Sequence, residues 1–354
     1  MISWLSASDR PASFLIIRLS SLGDILLATP ALRGLRRTFP GAPIDVLVKE
    51  RYAELLERNP NISSLITLKE PAGWADLPKL ISRLRNRYQI VVDLHTSLRS
   101  FYLRRGIKAN RTLKYNKRRL ARWMLIKTKR NIYGADFSVP LAYLEALAPL
   151  GVRDDGGGLD WPEALDRQAQ FLQTASLGAA SNPKPIALCP GASFPTKRWP
   201  VEYWQELVEK LLKTERILWV FGDQSDRDTG ERLRRADPGR ITNFCGSLSL
   251  AEAGAGLSLC RAAVTHDAGP AHMAAAVGVP VLAIFGSTVT QFGFRPFRVP
   301  HRIAEVELPC RPCSHLGYPQ CPLKHHRCIK DLSADRVLSL LENLEKETSQ
   351  RQPQ

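Results

Sequence analysis

No run of about 18 consecutive apolar residues occurs anywhere in the 354-residue chain, which excludes a transmembrane helix. The first ten residues lack both the basic start and the long apolar core of a secretory signal, which predicts a protein that stays in the cytoplasm. In that reducing setting the seven cysteines are read as thiols rather than as a disulfide framework. No G-x-G-x-x-G follows the first apolar run, and no G-x-x-x-x-G-K-[ST] occurs at all. Nicotinamide dehydrogenases and P-loop ATPases lose their support. The most local absence is of acid: between Leu94 and Ala135 there is not one aspartate or glutamate.

That stretch instead carries thirteen cations, including Arg99, Arg104, Arg105, Lys108, Arg119, Arg122 and Lys127. The rest of the chain holds 37 basic and 34 acidic residues, so nearly all of the net +16 resides in this band. A positive field this local is a device facing a partner: a phosphate-rich substrate, an anionic membrane surface or nucleic acid.

Elsewhere, short apolar runs alternate with amphipathic segments of helical length, which predicts parallel α/β architecture. In the first half, residues 14–19, 43–48, 65–68 and 89–94 read as strands, and 25–37, 53–58, 77–87 and 111–127 as helices. Residues 154–158 break the pattern, and 162–175 read as one more helix. The Pro-flanked stretch 181–185 is the predicted hinge. The plan then repeats, with strands at 186–189, 216–221, 241–243, 262–265 and 281–285, and helices at 202–212, 226–235, 250–259 and 271–277. A last helix runs from 334 to about 344, followed by a polar tail. The predicted domains are 1–180 and 181–330, with 331–354 as helix and tail.

Three strand-to-helix loops carry the chemistry-bearing residues. Arg18-Leu-Ser-Ser-Leu-Gly-Asp24 ends the first strand. Pro190-Gly-Ala-Ser-Phe-Pro-Thr-Lys-Arg-Trp-Pro200 brings together hydroxyls, backbone N–H groups and the cations Lys197 and Arg198, a cradle suited to a diphosphate. His266-Asp-Ala-Gly-Pro-Ala-His272 opens a helix. Asp223 and Asp226 end another strand, where carboxylates can accept from ribose hydroxyls. Near the C-terminus, Cys310-x-x-Cys313-x7-Cys321-x6-Cys328 has one zinc-like spacing and two irregular gaps. The residues leave open a zinc or iron–sulfur site and a metal-free thiol cluster, the second being preferred.

These loops, taken in order with the Thr-Pro-Ala-Leu helix and the cysteine segment, resemble glycosyltransferase family 9, the ADP-heptose–lipopolysaccharide heptosyltransferases, from about Phe14 to Val337. The resemblance implies a GT-B fold of two Rossmann-like doubly wound domains facing across a cleft. It implies inverting, metal-independent transfer from a nucleotide-diphosphate sugar to the phosphorylated inner core of lipopolysaccharide, with no cofactor required. Asp24 inherits the role of general base. Ser193, Thr196, Lys197, Asp223, Asp226, Asp267, Gly269 and His272 fall on the donor side. Arg18, Ser20, Ser21, Gly23, Asp93, His95 and Arg99 fall on the acceptor side. At Ala268 a hydroxyl residue is frequent in the family, and its absence removes one hydrogen bond. The basic band would then meet an anionic membrane surface, with the enzyme peripheral on the inner face of the inner membrane. Two other readings compete: a nucleic-acid binder using the band from Arg99 to Arg130, and another sugar-nucleotide enzyme such as an epimerase. No nucleic-acid module appears, and a nucleic-acid binder has no need of Asp24 and the Lys197 loop.

Overall fold

The structure, a computed structural model, describes residues 13–69, 73–175 and 183–351. The stretch read for a secretory signal and residues 181 and 182 of the predicted hinge lie outside these. The chain divides into two compact units, one formed by Met1–Lys117 with Val139–Glu163, the other by Arg118–Ser138 with Ala164–Gln354. Along the sequence the chain passes between the units three times, at 117/118, 138/139 and 163/164, where the sequence predicts a single boundary near residue 180.

The first unit is built on β1 (Phe14–Ile17), β2 (Ile44–Lys49), β3 (Ser64–Leu68), β4 (Ile90–Asp93) and β5 (Arg111–Lys114). All pairings are parallel, in the order β3-β2-β1-β4-β5. The four residues of β1 are at most 1 % exposed, because a central parallel strand is covered on both faces. Leu15, Ile17, Leu47 and Val91 meet Leu80, Leu84, Leu103 and Ile107 from the covering helices. The helix expected over 25–37 is two, Leu22–Leu26 and Thr29–Thr38. Pro30 has no N–H to continue the first, so it opens the second. Arg33 on that second helix grips both oxygens of Asp155, at 2.6 and 3.0 Å, and also Asp160. That clamp closes the glycine-rich break onto the unit.

The helix expected over 111–127 is likewise corrected. Residues 111–114 form the edge strand β5, where charged side chains are at home. The helix Arg119–Thr128 belongs to the second unit, with Ala121 and Leu125 packed on Tyr133, Val289 and Phe292. The basic band is therefore shared between units.

The second unit contains β6 (Ile186–Cys189), β7 (Leu218–Val220), β8 (Ile241–Asn243), β9 (Ala262–His266), β10 (Val281–Phe285) and β11 (His301–Glu305). Its parallel sheet runs β8-β7-β6-β9-β10-β11, the doubly wound order 3-2-1-4-5-6 counted from its own first strand. The C-terminal helix, Ala334–Arg351, is longer than expected. Ala334, Val337, Leu341 and Leu344 enter the second core, and Glu345 pairs with Arg216 and Arg261, both at 2.8 Å. Those ion pairs hold the helix beyond the end of its apolar stripe.

Candidate active site

In an open parallel sheet, ligands bind at the carboxyl ends of the strands where the order reverses. Each unit has one such point, between β1 and β4 in the first and between β6 and β9 in the second. The sequence-predicted residues gather at both.

At the first point, the loop after β1 delivers Asp24 as the third residue of the helix Leu22–Leu26. Its carboxylate meets the Arg18 guanidinium at 2.6 Å and accepts from the Ser21 hydroxyl at 2.7 Å and the Ser21 N–H at 3.3 Å. The Tyr143 hydroxyl approaches at 3.4 Å. The Arg18 guanidinium lies 5.4 Å from the Tyr143 ring centre and donates to the Leu94 carbonyl at 2.5 Å. Burial opposes the Arg18 charge, and Asp24 together with Tyr143 and Tyr115 more than offsets it, so the guanidinium's pKa rises above its ordinary value. The Asp24 side chain keeps 21 % of its surface exposed while that of Arg18 keeps 8 %. The carboxylate is thus aimed from below and open above.

His95 follows β4. Burial, reinforced by the Arg18 and Lys117 cations, pulls its imidazole down to about 4, so it is neutral at neutral pH. Asp93, expected on the acceptor side, is 1 % exposed. It accepts from His95 N–H, Thr96 N–H and the Ser100 hydroxyl at 2.7–3.0 Å, and meets Arg104 at 3.3 Å. Its oxygens tie the β4 loop to the helix Leu98–Ile107, which places His95 and Arg99. Ser20 and Ser21 line the loop edge, and Gly23 behind them is buried.

At the second point, Lys197 Nζ reaches Asp267 Oδ2 and the Asp267 carbonyl, both at 2.7 Å, and the Thr288 hydroxyl donates to Oδ2 at 2.6 Å. Asp267 directly precedes Ala268, the cap of the helix Gly269–Ala276, whose first N–H groups an anion can use. His266 stitches the two loops together. Its Nε2 accepts from Trp199 N–H at 2.8 Å, and its Nδ1 lies 3.2 Å from the Gly191 carbonyl, so Nδ1 carries the proton. Burial lowers the His266 pKa to about 4, which preserves that arrangement at neutral pH.

Two residues expected on the donor side are engaged within the protein. Thr196 is 2 % exposed, and its hydroxyl is held by Tyr318 N–H at 2.7 Å and the Tyr318 carbonyl at 2.9 Å. It anchors the cysteine-rich loop. Asp226 is 7 % exposed under Gly191 and Gly222, and burial followed by the Asp223 charge raises its pKa. A Cβ on Gly191 would crowd the Asp226 carboxylate, which would have to move to admit it. Asp223 is exposed and caps the turn Gln224–Asp226 through Ser225 N–H at 2.7 Å. Ser193 and Arg198 are exposed on the loop, and His272 is buried beside Phe294 with ring centres 6.3 Å apart.

Two residues that no local motif marked take part. Tyr143 comes from a helix, Val139–Leu147, absent from the sequence reading. Thr288 lies just after β10, and its position beyond a strand's carboxyl end was the available signal.

Among the described residues no group of three or more His, Cys, Asp or Glu side chains is placed to hold a metal ion. Cys310 Sγ faces His325 Nε2 at 3.9 Å, Cys313 Sγ faces the Ser287 carbonyl at 3.8 Å, and burial pushes the Cys328 thiol up to about 12. Among the described residues no helix is long and apolar enough to cross a membrane.

Comparison with known proteins identifies the family. Residues 77–324 match the profile of glycosyltransferase family 9 (heptosyltransferase). Lipooligosaccharide heptosyltransferase 2 of Haemophilus influenzae is 28 % identical over 306 residues, covering 79 % of this chain and 85 % of its own. Lipopolysaccharide heptosyltransferase 1 of Pseudomonas aeruginosa is 26 % identical over 340 residues, covering 92 % of each. Among solved structures, ADP-heptose lipopolysaccharide heptosyltransferase II of Escherichia coli superposes with a TM-score of 0.74 at 24 % identity, over 95 % of this chain and 99 % of that one.

Proposed function

The chain belongs to glycosyltransferase family 9 and has the GT-B fold, and from that premise we propose that it transfers heptose from ADP-heptose to the inner core of lipopolysaccharide with inversion. The observation that carries the reading is the Asp24 carboxylate, set at the strand-order reversal by Arg18 and Ser21 and left open on one side. An acceptor hydroxyl placed there gives its proton to Asp24 as its oxygen attacks the anomeric carbon. The bond from that carbon to the diphosphate breaks on the opposite side, and ADP leaves. Lys197, Arg198 and the N–H groups opening Gly269–Ala276 stabilise the charge that grows on the diphosphate. Lys197 then shifts part of its bonding from Asp267 to phosphate. The acceptor is lipid-borne, so the enzyme works at the cytoplasmic face of a membrane, bound peripherally.

A donor screen by calorimetry tests this. ADP-heptose is expected to bind, and UDP- and GDP-sugars are expected to give no heat. Tighter binding of a UDP-sugar than of the ADP-sugar overturns the donor assignment. Binding of ADP-heptose without transfer to a lipopolysaccharide acceptor overturns the reaction.

A further inference from the structure

The helix Leu98–Ile107 has two apolar stripes, and the protein covers only one. Ser100, Leu103 and Ile107 are buried against the sheet. On the far side Leu98 is 79 %, Phe101 50 % and Tyr102 43 % exposed, followed at the next turn by exposed Arg105. Positions 98, 101, 102 and 105 follow the i, i+3, i+4, i+7 spacing of a helix face. Trp74, 56 % exposed, extends the patch with its ring 6.1 Å from that of Tyr102. Beside it, Gly106 lets this helix press on Ile81 of the helix Leu77–Leu84, and the two helices border an open groove of about 450 Å³. Arg85, Arg105 and Lys108 line the groove with Tyr102, and no carboxylate does. None of the three cations pairs with a carboxylate among the described residues. The nearby Asp76 accepts the Gly73 N–H at 2.9 Å.

Exposed tryptophan, tyrosine and phenylalanine above clustered arginine and lysine match one surroundings: the headgroup layer of a bilayer, apolar on one side and anionic on the other. We propose that this face is where the protein docks on an anionic phospholipid bilayer. Trp74, Leu98 and Phe101 enter the interface, and the groove of Arg85, Arg105 and Lys108 takes the lipid phosphates. The proposal rests on the lipid-borne acceptor of the preceding reading and assigns it a surface.

The test is co-sedimentation of the full chain with phosphatidylcholine vesicles, with and without phosphatidylglycerol, across a salt series. Wild-type protein is expected to bind only the anionic vesicles and to release as salt rises. The triple variant Arg85→Gln/Arg105→Gln/Lys108→Gln is expected to bind about a hundredfold more weakly, from about fivefold per cation. The variant Trp74→Ser/Phe101→Ser is expected to lose about tenfold while keeping the salt dependence. Both are expected to keep wild-type thermal midpoints and turnover on a delipidated, soluble acceptor. Wild-type binding undiminished in both variants overturns this surface and leaves peripheral action standing. Failure of wild-type protein to bind either vesicle overturns both.

Discussion

The two strand-order reversals use the same pair of charges in opposite ways. In the first unit the cation is the buried member: Arg18 sits at the end of β1, and the carboxylate of Asp24 rides above it, one-fifth exposed. In the second unit the carboxylate is the deeper member: Asp267 lies at the end of β9, 8 % exposed at its side chain, and Lys197 reaches it from the loop at 13 %. A deep cation steadies an exposed base, whereas a deep anion holds a cation in readiness for a more negative ligand. On the proposed reading, the same topology would serve proton removal at one sheet and charge neutralisation at the other.

Asp24→Ala breaks the first arrangement and has the largest expected effect, a fall in kcat of about 10²- to 10⁴-fold with donor affinity retained. Steady-state transfer and donor calorimetry read the two separately, and near-normal turnover removes Asp24 from the mechanism. Lys197→Ala breaks the second. Loss of one cation from the leaving diphosphate lowers kcat by about 100-fold. Because Asp267 then lies buried without its partner, unfolding free energy falls as well, by about 3 kcal/mol, the low end for such pairs since Lys197 is partly wetted. Adding Asp267→Asn should restore the thermal midpoint and leave transfer impaired. Recovery of activity in the double variant would show that Lys197 serves the fold alone.

The strands and loops that build both points were legible from sequence, because continuous apolar runs such as Phe14–Ile17 and Val281–Phe285 admit one environment, the middle of a parallel sheet. The paired loops could be read for the same reason, since each ends such a run. What escaped was set by tertiary contact. Tyr143 reaches Asp24 from 119 residues away, and no local pattern marks that approach. Thr196 and Lys197 are neighbours in one loop, yet Tyr318 closes over the first and leaves the second facing Asp267. The band of cations read as one device because sequence has no sign for a change of unit between Lys117 and Arg118.

Acid sharpens the comparison, since each point contains a histidine with pKa lowered to about 4, His95 in one and His266 in the other. Both are neutral in the native protein, while the unfolded chain takes up a proton near 6.5. Their contribution is complete above about pH 6.5 and is lost as pH falls toward 4, by up to about 3 kcal/mol each. Denaturant unfolding at pH 7 and at pH 4.5 measures it, and His266→Gln or His95→Gln should each flatten the slope by its own share. Protonation of His266 also removes the acceptor for Trp199 N–H, so donor affinity should fall over the same range. An unaltered slope in His266→Gln would mean the imidazole is not held neutral.

The smallest expected effect lies at Ala268, the cap of the helix Gly269–Ala276, which the proposed function turns toward the diphosphate. Its backbone is extended, with φ −152° and ψ 179°, and it has no side-chain oxygen to offer. Of the N–H groups a serine there could accept, position 270 is proline, and Ala271 N–H already bonds to the Ala268 carbonyl at 3.1 Å. Ala268→Ser should therefore stabilise the protein by only about 0.5 kcal/mol, the low end for a cap. A hydroxyl that turns toward the donor instead would tighten ADP-heptose binding severalfold with no rise in thermal midpoint, because its partner is then the ligand. Calorimetry and thermal unfolding of the one variant separate these outcomes, and a rise in neither would show that the site is complete without a hydroxyl at this position.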